Sequence, residues 1–194
     1  MTSLREHQKR DTRARLYETA LGLFRERGYD DVTVAEIAEA AGVAKGTFFN
    51  YYPTKDHLLA DYHGRMTDGV MEQVEAEEFA SCEEAVLAYV HRFADWGEND
   101  PRMVEMVVRR IFTDPVMYEA DQHMIRRTLP WFEHQIELGV ERGEIKPDVD
   151  RGAFVGMIAA VLSSVGNAWA LNGGFDGRAE LVRRMRFVFD AARV

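Results

Sequence analysis

The stretch "TVAEIAEAAGVAKGTFFNYY", residues 33–52, decides the fold class of this chain. Thr33 followed three positions later by Glu36 is the capping-box pattern that starts a helix. We therefore predict two short helices, over residues 33–41 and 44–51, joined by a tight turn that contains glycine. Two short helices around a tight turn, packed on a preceding helix, form a helix-turn-helix.

The second short helix and the residues after it are rich in side chains that can contact a nucleic-acid backbone. Lys45 can reach a phosphate or a base edge from the start of the helix, and Gly46 lets the backbone approach a groove wall. Phe48 and either Phe49 or Tyr52 are expected to face inward as anchors. An aromatic cluster at helical spacing is also typical of plain core packing, so this segment alone leaves both interpretations open. The side chains expected to contact phosphate oxygens are Thr47, Tyr51, Tyr52 and Lys55.

The rest of the chain also predicts helices. Apolar residues recur at helical spacing over residues 11–27, and Pro101 and Pro115 stand where prolines open helices. Two more helices are predicted over residues 151–170 and 178–193. The predicted fold is all-α, with an N-terminal three-helix helix-turn-helix domain followed by a larger helical domain. We call the two predicted domains the head, residues 1–54, and the body, residues 55–194.

Charge is distributed unevenly between these two parts. The formal net charge is −9, but the first 60 residues hold nine basic and nine acidic side chains, so the whole deficit lies beyond them. This pattern predicts that only the head meets a polyanion. The sequence has no uninterrupted apolar run of about 18 residues and no apolar segment after its basic N-terminus, and the single Cys82 fits a reducing compartment. A cytoplasmic protein without a membrane partner is the expectation.

Residues 13–59, "RARLYETALGLFRERGYDDVTVAEIAEAAGVAKGTFFNYYPTKDHLL", carry a more specific signal. The ordered features "GY", "TVAEIA", "AGVAKGT", an aromatic pair and a closing "TKDHLL" resemble the N-terminal DNA-binding domain of the TetR family of transcriptional regulators. The resemblance covers under a third of the chain. It implies a DNA-binding regulator, more often a repressor than an activator, and it says little about what the acidic body senses.

Carried over by position, the resemblance implies phosphate contacts from side chains on the second and third helices and just beyond them. It also places Lys45 and Gly46 against the groove. Two positions depart from the family pattern: Phe49 stands where tyrosine is frequent, and Ala44 stands where serine or threonine is frequent. The predicted DNA-binding residues are Thr33, Ala44, Lys45, Gly46, Thr47, Phe49, Tyr51, Tyr52 and Lys55.

A homodimer is expected, because one short helix reads few base pairs whereas two related by a twofold axis select a palindrome with half-sites about 34–36 Å apart or a multiple of this. The last two helices are the predicted interface, since one has small residues and the other a broad apolar stripe. Such stripes also occur in intramolecular cores, but the resemblance favours a four-helix bundle between subunits. The predicted interface residues are Gly156, Ala160, Ser163, Leu181, Met185, Val188 and Phe189.

The tryptophans, and every methionine except Met1, lie in the body. Flexible thioethers and large rings can line an adaptable pocket, although each one alone is more typical of core filling. We predict a small, largely apolar or amphipathic effector that changes the spacing of two heads through the helix over residues 56–76. The predicted ligand-binding residues are Tyr62, Met66, Met103, Met106, Arg110, Met124, Trp131, Met157 and Trp169.

Two other function classes remain open from sequence: a metal-dependent helical enzyme and a helical protein-interaction module. His91 with Asp95, and Glu119 with His123, have the i,i+4 spacing that can hold a metal. Exposed ion pairs are the commoner meaning of that spacing. We therefore predict no catalytic residue, no cofactor and no metal site.

Overall fold

A computed structural model describes residues 4–172 and 174–194. The side chain of Arg5, one of the basic N-terminal residues, lies outside this description. Across the described residues the regular structure is helical, apart from one antiparallel bridge between Ile145 and Arg193. The predicted all-α fold is confirmed. The helices are α1 Leu4–Arg27, α2 Val34–Ala40, α3 Lys45–Phe49, α4 Lys55–Glu75, α5 Cys82–Asn99, α6 Pro101–Ile111, α7 Pro115–Glu141, α8 Arg151–Asn172 and α9 Gly177–Ala192.

Most helices begin where the sequence predicts. The Thr33 hydroxyl accepts from the Glu36 amide and the Glu36 carboxylate accepts from the Thr33 amide, which is the expected capping box. Pro101 and Pro115 each occupy the first turn of a helix. α3 is shorter than predicted, because Ala44 offers no side-chain hydrogen bond at its start and the chain after Phe49 already makes tighter turn bonds.

Two hydrophobic cores share α4. One core packs the inner faces of α1, α2 and α3 against the start of α4, and it continues into α6 and the start of α7 through buried residues such as Met103, Val107 and Met117. The other core joins the second half of α4 to α5, α7, α8 and α9. Because α6 packs in the same core as the helix-turn-helix, a shift of α6 disturbs the packing of the head.

α8 is long and apolar enough, by length and composition, to cross a membrane. Its buried residues pack against α6, α7 and α9, and Gly156, Met157 and Ala160 are exposed. Core helices of soluble proteins pass the same test of length and composition.

Candidate functional site

α3 presents a mixed face to solvent. Lys45 and Gly46 are exposed, Thr47 and Tyr51 are half-buried, and Phe49 is 47% exposed. Ala44 is exposed as well, at the helix cap. Phe48 is the inward anchor, fully buried against Tyr52 with ring centroids 5.9 Å apart. Of the two candidates for the second inward ring, Tyr52 is therefore the one that packs inside.

Tyr52 is 2% exposed and its hydroxyl is fully used within the protein. It donates to Asp61 Oδ2 at 2.8 Å and accepts from Arg13 Nε at 3.3 Å, which ties the end of the helix-turn-helix to α1 and α4. Burial raises the pKa of Tyr52. The predicted phosphate contact from Tyr52 is corrected accordingly: the ring is a core anchor, because inward packing on Phe48 left its hydroxyl no path to a phosphate.

Lys55 and Thr33 are also engaged inside the head. Lys55 Nζ donates to the carbonyl oxygens of Tyr29 at 2.5 Å and Val32 at 2.7 Å, and burial lowers the pKa of Lys55. One ammonium hydrogen is left for another partner. The Thr33 hydroxyl donates to Glu36 Oε2 at 2.7 Å, so its proton is used by the capping box. Both residues shape the surface that surrounds α3: the Thr33 hydroxyl has no hydrogen left to donate to a phosphate, whereas Lys55 keeps one.

A large cavity of about 700 Å³ lies in the body between α4, α5, α6, α7 and α8. Most of its wall is apolar or aromatic, including Phe93, Trp96, Val107 and Phe132. The Trp169 ring completes one side, held against Gly97 and Gly177, where an added Cβ would come within 3.0 Å and 2.0 Å of it. The absence of side chains at these two glycines is what lets the tryptophan reach the wall.

Two of the nine predicted ligand-binding residues, Met124 and Trp169, line this cavity. The others are placed elsewhere, because methionine and tryptophan are used equally well to fill cores. Arg110 is engaged with Asp56, donating from Nε at 3.0 Å, and Met157 is 53% exposed on the outer face of α8. The remaining five pack in the two cores: Tyr62, Met66, Met103, Met106 and Trp131.

His63 is the lining residue that composition could not reveal. It is 4% exposed, and neither ring nitrogen has a hydrogen-bond partner in the described part of the chain. Asp121 Oδ1 lies 3.8 Å from His63 Nε2, beyond hydrogen-bonding distance. His63 and Asp121 thus add polar atoms to a wall that is mostly apolar.

Hydrogen bonds connect the cavity wall to the head. Trp96 Nε1 donates to the Tyr62 hydroxyl at 2.9 Å, and that hydroxyl donates to Asp100 Oδ2 at 3.3 Å. Asp100 Oδ2 also accepts from Arg25 Nε of α1 at 2.9 Å. Arg102, at the cavity edge, donates to the Arg25 carbonyl at 2.8 Å. Burial raises the pKa of Tyr62 to about 12, so the hydroxyl stays protonated and the chain of bonds persists at neutral pH.

Comparisons with known proteins agree with this arrangement. Residues 16–62 match the family model for bacterial regulatory proteins of the tetR family. The fatty acid metabolism regulator protein of Bacillus subtilis (strain 168) is 24% identical over 187 residues, which cover 90% of each chain. The structure of Thermus thermophilus FadR, a TetR-family transcriptional repressor in complex with lauroyl-CoA, superposes with a TM-score of 0.77 at 26% identity, covering 94% of this chain and 95% of that one. The chain belongs to the TetR family of transcriptional regulators.

Two further relatives of this TetR-family regulator match different lengths of its chain. The repressor KstR of Mycolicibacterium smegmatis is 36% identical over 64 residues, 33% of this chain and 31% of that one. Bacillus subtilis FadR, solved in complex with stearoyl-CoA, has a TM-score of 0.72 at 19% identity, covering 93% of this chain and 99% of that one. This second likeness shows a shared fold. Together with the match to the family model, it extends the family architecture over both head and body.

The predicted dimer residues of this regulator divide into two groups. Leu181, Met185, Val188 and Phe189 of α9 are buried in the core of the same chain, where Phe189 meets Phe154 edge-on at 5.2 Å. Their apolar stripe faces inward, so the prediction that they form the interface is corrected. By contrast, the predicted small residues of α8 are exposed, and two of them, Ala160 and Ser163, also line the cavity. These small residues are Gly156, Ala160 and Ser163.

The acidic members of the two spaced pairs considered for a metal have other partners in the regulator. Asp95 pairs with Arg178 at 2.5 Å, and Glu119 pairs with Arg126 at 2.6 Å. Within residues 4–172 and 174–194, no group of three or more His, Cys, Asp or Glu side chains is placed to hold a metal ion.

Proposed function

We propose that this TetR-family regulator is a repressor that binds a palindromic operator as a homodimer and is released from it by an amphipathic effector with a long apolar part. The head reads DNA, and the body binds the effector and dimerises. The observation that carries the proposal is the cavity of about 700 Å³ whose wall residues Trp96 and Arg102 are hydrogen-bonded towards α1 of the head. A DNA target also implies a cytoplasmic protein, and no catalytic role is assigned.

The size and lining of the cavity support the effector class. Sites that bury small-molecule ligands span about 300–1,000 Å³ and are lined mostly by apolar and aromatic side chains. This cavity falls in that range and its wall is largely apolar. The Thermus thermophilus repressor, which is similar over nearly the whole chain, was solved with lauroyl-CoA. A fatty acyl thioester is therefore the effector we propose to test first.

Transmission from cavity to head follows from the position of α6. At its start, Asp100 and Arg102 hold Arg25 of α1, and near its end Arg110 holds Asp56 beside the Tyr29 hydroxyl, which donates to Asp56 at 2.6 Å. An acyl chain that displaces the inner face of α6 thus moves α1 and the start of α4 together. In a dimer this changes the spacing of the two α3 helices, and a rigid palindrome tolerates little change.

The proposed dimer uses the outer faces of α8 and α9. Gly156, Ala160 and Ser163 permit close helix approach, and the exposed side chains of Met157 on α8 and Phe187 on α9, at 53% and 76% exposure, supply apolar area. Ala160 and Ser163 also line the cavity, so the proposed interface borders the effector site.

The experiment begins with selection of genomic fragments by the purified protein, followed by fluorescence anisotropy on the enriched site. We expect a palindrome, and we expect lauroyl-CoA to release the protein from it while coenzyme A alone does not. Enriched sites without twofold symmetry would contradict the homodimer. Retention on DNA at saturating lauroyl-CoA would contradict the proposed effector class.

A further inference from the structure

We propose that His63 and Asp121 form a polar anchor inside the effector cavity, and that the natural effector carries a hydroxyl group along its apolar part which binds there. This inference rests on the proposed function, because it names a chemical feature of the same ligand. It predicts a chain-hydroxylated acyl group in place of a plain saturated one.

The free protein leaves His63 incomplete. Its imidazole is 4% exposed, lines the cavity, and has two ring nitrogens without a partner among the described residues. Burying a polar group without a hydrogen bond is unfavourable, so such groups are rare in folded proteins. A ligand group that supplies the missing bond recovers that loss on binding, whereas an all-hydrocarbon ligand would seal the nitrogens away from water.

Other polar groups near the anchor are already engaged. The Thr128 hydroxyl donates to the Met124 carbonyl at 3.1 Å, the Thr67 hydroxyl donates to the His63 carbonyl at 3.2 Å, and Trp96 Nε1 donates to Tyr62. The His63 ring nitrogens, by contrast, have no hydrogen-bond partner among the described residues, and the Asp121 carboxylate lies beside them.

Asp121 decides which ligand group fits. Its carboxylate only accepts hydrogen bonds, so a group that bridges it to His63 has to donate one. The 3.8 Å between Asp121 Oδ1 and His63 Nε2 lets one oxygen atom lie within hydrogen-bonding distance of both. A hydroxyl can donate to Asp121 while it accepts from an imidazole N–H. A thioester carbonyl or a carboxylate has no hydrogen to donate and would face the carboxylate unfavourably.

The test compares lauroyl-CoA with a set of its analogues that carry one hydroxyl at successive positions of the chain. Binding is followed by the fluorescence of the cavity-lining residues Trp96 and Trp169. We expect at least one hydroxylated analogue to bind the wild-type protein about tenfold more tightly than lauroyl-CoA. His63→Phe should abolish this preference, so that this variant binds lauroyl-CoA and its hydroxylated analogues with equal affinity, and His63→Gln, which keeps a donor and an acceptor, should retain part of the preference.

Thr67→Val is the matched control. Thr67 is one turn further along α4, is similarly buried, and has its hydroxyl bonded to a backbone carbonyl. Its removal should leave the preference for a hydroxyl unchanged. If lauroyl-CoA binds and releases DNA but no analogue binds more tightly, an ordered water satisfies His63 and the anchor is overturned, while the proposed function stands. If neither kind of ligand binds or releases DNA, the proposed function fails and the anchor falls with it.

Discussion

Asp61 and His63 are two residues apart on α4, and the two sides of this helix contrast sharply. Two residues span about 200° of a helix, so the side chains point in nearly opposite directions. On the side of the head, Asp61 receives the buried Tyr52 hydroxyl and the Arg13 guanidinium. On the side of the cavity, buried His63 receives nothing from the described residues. The Asp61 carboxylate on one side of α4 is thus hydrogen-bonded within the protein, whereas the His63 ring nitrogens on the other side have no partner among the described residues.

This difference shows how one helix can support a rigid DNA-binding head on one side and an adaptable ligand cavity on the other. A head whose buried polar groups are satisfied holds α3 in one orientation before DNA arrives. A cavity with an unsatisfied group and a largely apolar wall gains stability when it is filled.

The largest effect is expected from removing the anchor of the head. Tyr52→Ala deletes a ring that is 2% exposed and packs on Phe48, and it leaves Asp61 without its tyrosine donor. Loss of a large buried ring typically costs about 3–5 kcal/mol of unfolding free energy. Urea denaturation measures it. Tyr52→Phe is the control that removes only the hydroxyl, with an expected cost of about 1–2 kcal/mol. A Tyr52→Ala protein as stable as the wild type would contradict the packed position of this ring.

The outer face of α3 should behave in the opposite way. Lys45 is exposed and Tyr51 is half-buried at the edge of the core, so Lys45→Ala combined with Tyr51→Ala should cost much less unfolding free energy than Tyr52→Ala. On DNA the double variant should lose on the order of 2–4 kcal/mol of binding free energy per dimer, and the remaining binding should depend less steeply on salt. Anisotropy on the selected operator at several salt concentrations measures both.

Lys146→Ala is the matched control for that experiment, because it removes an exposed lysine from the body. Its operator affinity should equal that of the wild type. Loss of the dimer in the Lys45 and Tyr51 variant, seen by sedimentation, would instead mean that α3 lies in a protein interface, which is what the alternative of a helical interaction module requires.

The sequence alone could predict those features of the fold that depend on residues close together in the chain. Capping patterns at Thr33 and the prolines at helix starts are local signals, and the structure agrees with them. The cavity depends on which residues of five helices meet. Gly97 and Gly177 admit the Trp169 ring, and no spacing in the sequence links these three positions. For the same reason the apolar stripe of α9, read as an interface, could not be told apart from a core face.

The hydrogen bonds between the cavity and the head should affect how strongly the effector lowers operator affinity more than they affect effector affinity itself. Tyr62→Phe removes the hydroxyl that joins Trp96 to Asp100, while Arg25 still reaches Asp100. We expect effector affinity to be nearly kept and the effector-induced loss of operator affinity to shrink by about 1–2 kcal/mol. Operator titrations with and without lauroyl-CoA give this difference. Tyr118→Phe, at a tyrosine that is 55% exposed, is the control and should couple normally. Unchanged coupling in Tyr62→Phe would exclude this route.

The smallest effect is expected from a change of His63, on the cavity side of α4, measured in the absence of any ligand. His63→Phe replaces an unsatisfied buried ring with an apolar one beside a cavity that can accept the slightly larger side chain. Removing an unpaired buried polar group should stabilise the free protein by about 1 kcal/mol, which corresponds to a rise of roughly 2–4 °C in Tm for a chain of this size. Thr67→Val, which deletes a hydroxyl that is bonded, should leave Tm equal or lower it slightly. A fall in Tm for His63→Phe would mean that His63 is already satisfied in the free protein, and the contrast across α4 would then be one of packing alone.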